Sequence, residues 1–173
     1  MLTVSHTLGP LTTPGGAYVQ LMGVFSPHLV EMFPHVLGKL GARRALVVHG
    51  VDGVDEFSTL GETLVGEWSD GQVRQRRVRP EQFGFKRAAL AQVKNVAPQE
   101  SAAQTRALLG GQIEDARLDI VLLNAGAALY AAGAAADIEA GIAAAREAVR
   151  SGAARDKLEA LIAHTQAVTP GGA

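Results

Sequence analysis

Two almost continuously apolar runs, residues 18–25 (YVQLMGVF) and 44–49 (RALVVH), most constrain the fold. Strands this apolar are covered on both faces, as in sheets flanked by helices. The segment between them has a different period. Ser26-Pro27 offers an N-cap with proline at the first helical position. Leu29, Val30, Phe33, Val36, Leu37 and Leu40 then recur at three- and four-residue spacing, so a helix is expected to about Gly41. Pro34 lies inside that helix and is expected to kink or split it, because proline removes a backbone donor and crowds the carbonyl four residues back. Strand, helix and strand make one right-handed parallel crossover unit.

Beyond it the pattern changes. Thr63 to Trp68 and Gln72 to Val78 flank Ser69-Asp70-Gly71, an Asp-Gly turn between strand-like runs that signals a β-hairpin. Arg74 to Arg79 reads as the wet side of a strand, and Trp68 as a packing anchor. Pro80 to Pro98 holds only weak elements, around Gly84-Phe85 and Leu90 to Val96. Helices are expected over Ser101–Leu109, Asp119–Ala132, Asp137–Val149 and Gly152–His164, with fraying after Thr165. The class is α/β, mainly parallel strands with a β-hairpin and flanking helices. Two parallel strands in mid-sheet need neighbours, and the chain offers few candidates. Residues 1–16 are rich in Thr, Gly and Pro and read as the remnant of a preceding segment. The expected layout is a joining remnant over 1–17, the α/β portion over 18–166 and a tail over 167–173.

Composition narrows the function. A chain of 173 residues suits one core. A formal net charge of −1 gives no long-range field to gather nucleic acid or a membrane surface. Without cysteine there are no disulfides or thiolate metal sites, in keeping with a cytoplasmic address. No signal peptide is expected from the first residues. The longest apolar stretch, Ile120 to Ala136, is interrupted by Asn124 and rich in small residues, so it reads as a buried helix rather than a membrane span.

The most informative stretch is Val47 to Glu56 (VVHGVDGVDE), where an apolar strand ends in a Gly-punctuated loop carrying Asp52, Asp55 and Glu56. In open parallel sheets ligands gather beyond the C-terminal strand ends. Adjacent carboxylates at a loop tip suit Mg²⁺, which takes one or two carboxylates and fills its shell with water and substrate phosphates. Composition alone favours a plainer reading: Asp52 caps a turn, and Asp55 and Glu56 form a solvated corner. His49 ends the strand beside this loop and could touch a substrate phosphate, although a histidine bonded to backbone is the commoner case. His28 and His35 lack metal-spaced companions and read as surface or helix-end residues. Gly9 to Pro14 is not a phosphate-binding loop. Asn124 reads as a satisfied interior polar group holding its helix to a loop.

Five segments together carry a resemblance. LGPLTTP, YVQLMGVFSPHLVE, RRALVVHGVDGVDEFS, VRPEQFGF and VLLNAGAALYAAG resemble, in order and spacing, the anthranilate phosphoribosyltransferase family. The resemblance covers almost the whole chain and implies the C-terminal portion of a nucleoside phosphorylase/phosphoribosyltransferase-type α/β domain. It also implies transfer of the phosphoribosyl group of phosphoribosyl pyrophosphate to anthranilate, with Mg²⁺ held by Asp55 and Glu56 against the pyrophosphate. By the same resemblance Pro14 lines the route of anthranilate. Thr13 stands where the family has Asn, Tyr18 and Val19 where it often has basic residues, and Leu2 where an Arg meets the anthranilate carboxylate. The family's Gly-Thr-Gly-Gly and Lys-His-Gly-Asn segments are not among these residues. The resemblance further implies a homodimer, whose N-terminal interface is expected to be lost here. The other readings are a non-catalytic fragment or paralogue that binds metal or phosphate weakly or acts as a structural partner, and a nucleoside phosphorylase relative.

Overall fold

The computed structural model describes residues 9–12, 18–94 and 96–168. A 3₁₀ turn at Gly9–Thr12 precedes β1 (Val19–Gly23), α1 (Pro27–Lys39) and β2 (Arg44–Gly50). The hairpin β3 (Thr63–Ser69) and β4 (Gln72–Val78) follows. Short turns at Pro80–Phe83 and Leu90–Val93 lead to α2 (Pro98–Leu109), α3 (Ala116–Ala131), α4 (Ile138–Arg150) and α5 (Ala153–Val168).

The four strands form one sheet in the order β1-β2-β3-β4. β1 and β2 are parallel, with Leu21 opposite Leu46. The hairpin is not a separate unit: β3 joins β2 antiparallel, with Val65 opposite Val48, and β4 joins β3. This corrects two expectations. Among the described residues one pairing is parallel and two are antiparallel, so the sheet is mixed rather than mainly parallel. β2 also has its second neighbour within the chain. The turn itself is as expected, with Asp70 at φ 52° and Gly71 at φ 78°, the left-handed pair that a two-residue hairpin needs to match strand twist.

Apolar side chains on alternate residues of β2 face opposite ways, which is why that strand is apolar throughout. Leu46 and Val48, with Val65, meet Leu118, Leu122 and Leu123 of α3 and Ile142 of α4. Ala45 and Val47 meet Leu29, Val30, Phe33 and Leu37 of α1. Each of these large side chains, fully buried, contributes about 1.5–3 kcal/mol before entropy is counted.

Pro34 does not split α1, which runs unbroken from Pro27 to Lys39. Its missing N–H leaves the Val30 carbonyl without that partner, and the helix rests here on Gly66 of β3. A Cβ on Gly66 would lie 2.2 Å from the Val30 oxygen and 2.8 Å from the Pro34 ring. The bare glycine backbone admits both. Ser26 stands at the N-cap, but its side chain makes no capping bond. Trp68 anchors the far end, its Nε1 donating to the Ala42 carbonyl at 2.8 Å.

Helix starts shift as well. α2 begins at Pro98 rather than Ser101, with proline at the first helical position. α3 begins at Ala116 rather than Asp119, because Asp115 caps it by accepting from the Arg117 amide at 2.9 Å. α5 continues past His164 to Val168, and the expected boundary at 166 falls inside it. No glycine or proline interrupts the chain between Gly152 and Pro170.

Candidate active site

Because β1 and β2 are parallel, their C-terminal ends, Gly23 and Gly50, lie at the same end of the sheet. The loop of residues 51–62 leaves from there. Asp52 organises its first turn: one carboxylate oxygen accepts from the Val54 amide at 3.2 Å and the other from the Ser58 hydroxyl. The Gly50 amide donates to the Val54 carbonyl at 2.7 Å, and Gly53 turns the chain at φ 95°. Asp52 is thus a turn-holding residue, as its sequence position suggested.

Downstream, Phe57 is wholly buried. Asn124 of α3 grips its backbone twice, accepting from the Phe57 amide at 3.0 Å and donating to the Phe57 carbonyl at 2.9 Å. The interior role expected for Asn124 is what the structure shows. On the third side the Asp55 backbone lies against β1, where Gly23 leaves no space for a side chain.

Asp55 and Glu56 sit between these fixed points, with both residues exposed. They line an open cleft of about 860 Å³ with Val54, Leu60, Leu90, Val93, Lys94 and Ile120, among others. The apolar wall partly desolvates Glu56, and the neighbouring Asp55 charge adds to this, so the Glu56 carboxyl is pushed above its usual range. A cation bound between the two carboxylates would relieve both effects. Among the described residues there is no group of three or more His, Asp or Glu that could hold a metal by themselves. Two hard oxygen donors in an open, wet cleft fit Mg²⁺, which keeps several waters and takes phosphate oxygens from substrate; they do not fit zinc, which wants a closed N/S set.

The other residues singled out from sequence are placed differently. His49 is buried, and its Nδ1 donates to the Val24 carbonyl at 2.8 Å, tying the end of β2 to the segment after β1. It is not among the residues lining the acidic cleft. Pro14, with Leu2 and Thr13, lies outside the described residues. His28 and His35 are exposed on α1.

Sequence reasoning missed the contact of Gly23 with the loop and the wall made by Leu90 and Lys94. The available signal was the glycine at a strand terminus, a common mark of close backbone approach. It also missed a polar group elsewhere on the sheet. Glu67 is buried on β3, accepts from the Tyr130 hydroxyl at 2.7 Å and lies 3.5 Å from Arg76. Arg44 stacks 4.9 Å from the centre of the Tyr130 ring and donates to the Tyr130 carbonyl at 3.0 Å. No helix among the described residues is long and apolar enough to cross a membrane.

Residues 1–155 match the family model of the glycosyl transferase family, a/b domain. The chain belongs to this family. Among its relatives, the anthranilate phosphoribosyltransferase of Desulfosudis oleivorans is 47% identical over 164 residues, which are 95% of this chain and 48% of that protein. The anthranilate phosphoribosyltransferase of Haloarcula marismortui is 44% identical over 94% of this chain and 49% of its own length. The solved anthranilate phosphoribosyltransferase of Thermus thermophilus superposes with a TM-score of 0.86 at 44% identity, over 94% of this chain and 48% of that one. The Saccharomyces cerevisiae enzyme, solved in complex with PRPP and Mg, superposes at 0.81 with 25% identity, over 92% of this chain and 46% of that one. This member of the glycosyl transferase family therefore spans about half the length of the curated relatives it matches.

Proposed function

We propose that this chain carries the metal-binding half of an anthranilate phosphoribosyltransferase site, matching the C-terminal part of such enzymes. The reaction joins the anthranilate amine to the ribose carbon of phosphoribosyl pyrophosphate, giving N-(5-phosphoribosyl)anthranilate and pyrophosphate. One observation carries the reading: Asp55 and Glu56 are held outward on a loop whose backbone is fixed on three sides, in a chain 44–49% identical to proteins of that name.

In this reading Asp55 and Glu56 are the Mg²⁺ ligands. When bound, the ion supplies charge neutralisation for the departing pyrophosphate, where negative charge accumulates as the ribosyl bond breaks. The chain's own contribution is placement. A loop that does not move at the moment of reaction keeps its two carboxylates aimed without reorganisation cost. Lys94 stands on the rim of the same cleft as a cation for a substrate phosphate, and Leu60, Leu90 and Ile120 give one wall an apolar lining. Pro14 on the anthranilate route belongs to the same proposal; His49, buried and bonded to the Val24 carbonyl, does not.

The test is calorimetric. Mg²⁺ should bind this chain weakly alone and more tightly once inorganic pyrophosphate is present, because the diphosphate completes a shell that two carboxylates leave open. Equal affinity with and without pyrophosphate would overturn the reading. A chain that acts only as a structural partner would show no binding in either case.

A further inference from the structure

We propose that Asn124 is a positioning residue for the Asp55–Glu56 pair, acting through the backbone of Phe57. The inference rests on the metal reading above and adds to it a residue on a distant helix that never meets the ion. Phe57 directly follows Glu56, so whatever fixes its peptide plane fixes the exit of the acidic pair. Asn124 does this with both ends of one amide, accepting from the Phe57 N–H at 3.0 Å and donating to the Phe57 carbonyl at 2.9 Å. The same Nδ2 also donates to the Ile120 carbonyl at 3.0 Å, one turn back in α3. The side-chain amide is therefore itself held, and its orientation is set by the helix.

The placement is specific. The bond to Ile120 uses one N–H of the amide, and its oxygen and second N–H are both spent on the single peptide unit of Phe57. Asn124 thereby reaches 67 positions along the chain to a residue that adjoins the carboxylates. The Phe57 ring is wholly buried, so the segment cannot swing outward without exposing it. Buried ring and gripped peptide together convert a mobile acidic corner into one with a fixed aim. Residues that orient metal ligands from behind typically matter to metal affinity by roughly 10- to 100-fold.

The experiment follows Mn²⁺, a paramagnetic stand-in for Mg²⁺, by NMR on the ¹⁵N-labelled chain with inorganic pyrophosphate present. Asn124→Ala removes the grip; Asn124→Asp keeps the size and the acceptor but turns a carboxylate toward two carbonyls, and serves if the alanine variant does not fold. Strand and helix amides report on the fold, exchange of the Phe57 amide on the grip, and line broadening at Asp55 and Glu56 on the metal. The expected result is an intact fold, Phe57 exchange about 10- to 100-fold faster, and Mn²⁺ affinity lower by roughly 10- to 100-fold. Unchanged affinity in a variant whose Phe57 amide exchanges faster would overturn the positioning role while leaving the metal reading in place. Failure of Mn²⁺ to broaden Asp55 and Glu56 in the unsubstituted chain would remove the metal reading, and the inference with it.

Discussion

Gly23 and Asp55 touch backbone to backbone: a Cβ built on Gly23 would fall 1.5 Å from the Asp55 carbonyl oxygen. The end of β1 thereby acts as a stop for the acidic loop. The atom met is main chain, not the tip of a flexible side chain, so the loop itself would have to move. Gly23→Ala should lower stability by about 1–3 kcal/mol, read as a loss of several degrees in thermal midpoint, and should weaken Mg²⁺-pyrophosphate binding as well. An unaltered thermal midpoint and affinity would mean that the loop is not seated on β1.

Gly66 gives the matching experiment away from the site. Its Cβ would lie 2.2 Å from the Val30 carbonyl, so Gly66→Ala should push α1 off the sheet and also cost about 1–3 kcal/mol. Here metal binding should be unchanged in the folded protein, since neither residue borders the acidic cleft. Thermal unfolding alongside calorimetry on Gly66→Ala and Gly23→Ala separates a general packing defect from one directed at the loop.

Tyr130 supplies a pH dependence. Burial, with the Glu67 carboxylate next in weight, pushes its phenol above the ordinary tyrosine range of about 10. The folded state then keeps a proton that the unfolded state has already lost. This contribution to stability is complete below the unfolded value and disappears as pH rises through the folded one. Phenolate absorbance in a Tyr18→Phe background should show one late transition, moved toward ordinary values by Glu67→Gln. A transition that ignores Glu67→Gln would contradict the hydrogen bond between Tyr130 and Glu67.

What the sequence made legible was local. The two apolar strands, the Asp-Gly hairpin and the helix stripe depend on neighbouring residues, and all three stand in the structure. What it hid was long-range. Val30 and Pro34 pack on Gly66, 32 positions beyond Pro34, and the acidic loop is seated on Gly23, 32 positions before Asp55. Residue types alone could not say that β3 would take the open side of β2, because a hairpin reads the same in its own sheet or another's. At the site, the acidic pair and the capping role of Asp52 were readable from spacing. The partner of Asn124 was not, since an asparagine in an apolar helix announces that it has a partner without naming Phe57.

The claim that Asp55 and Glu56 exist for a metal, and not for the turn, is tested most directly by one double substitution, Asp55→Asn with Glu56→Gln. Turnover and thermal midpoint are measured on the same preparation of a full-length relative substituted at the corresponding positions, with anthranilate fluorescence followed under phosphoribosyl pyrophosphate and Mg²⁺. Both residues are largely exposed, and partial desolvation of Glu56 by the cleft wall, with the Asp55 charge, already disfavours its ionised form. Removing the charges should therefore leave the midpoint unchanged or slightly higher while turnover falls by orders of magnitude. Turnover that holds at saturating Mg²⁺, with a loss of about 0.5–2 kcal/mol in stability as from a broken cap, would contradict the account.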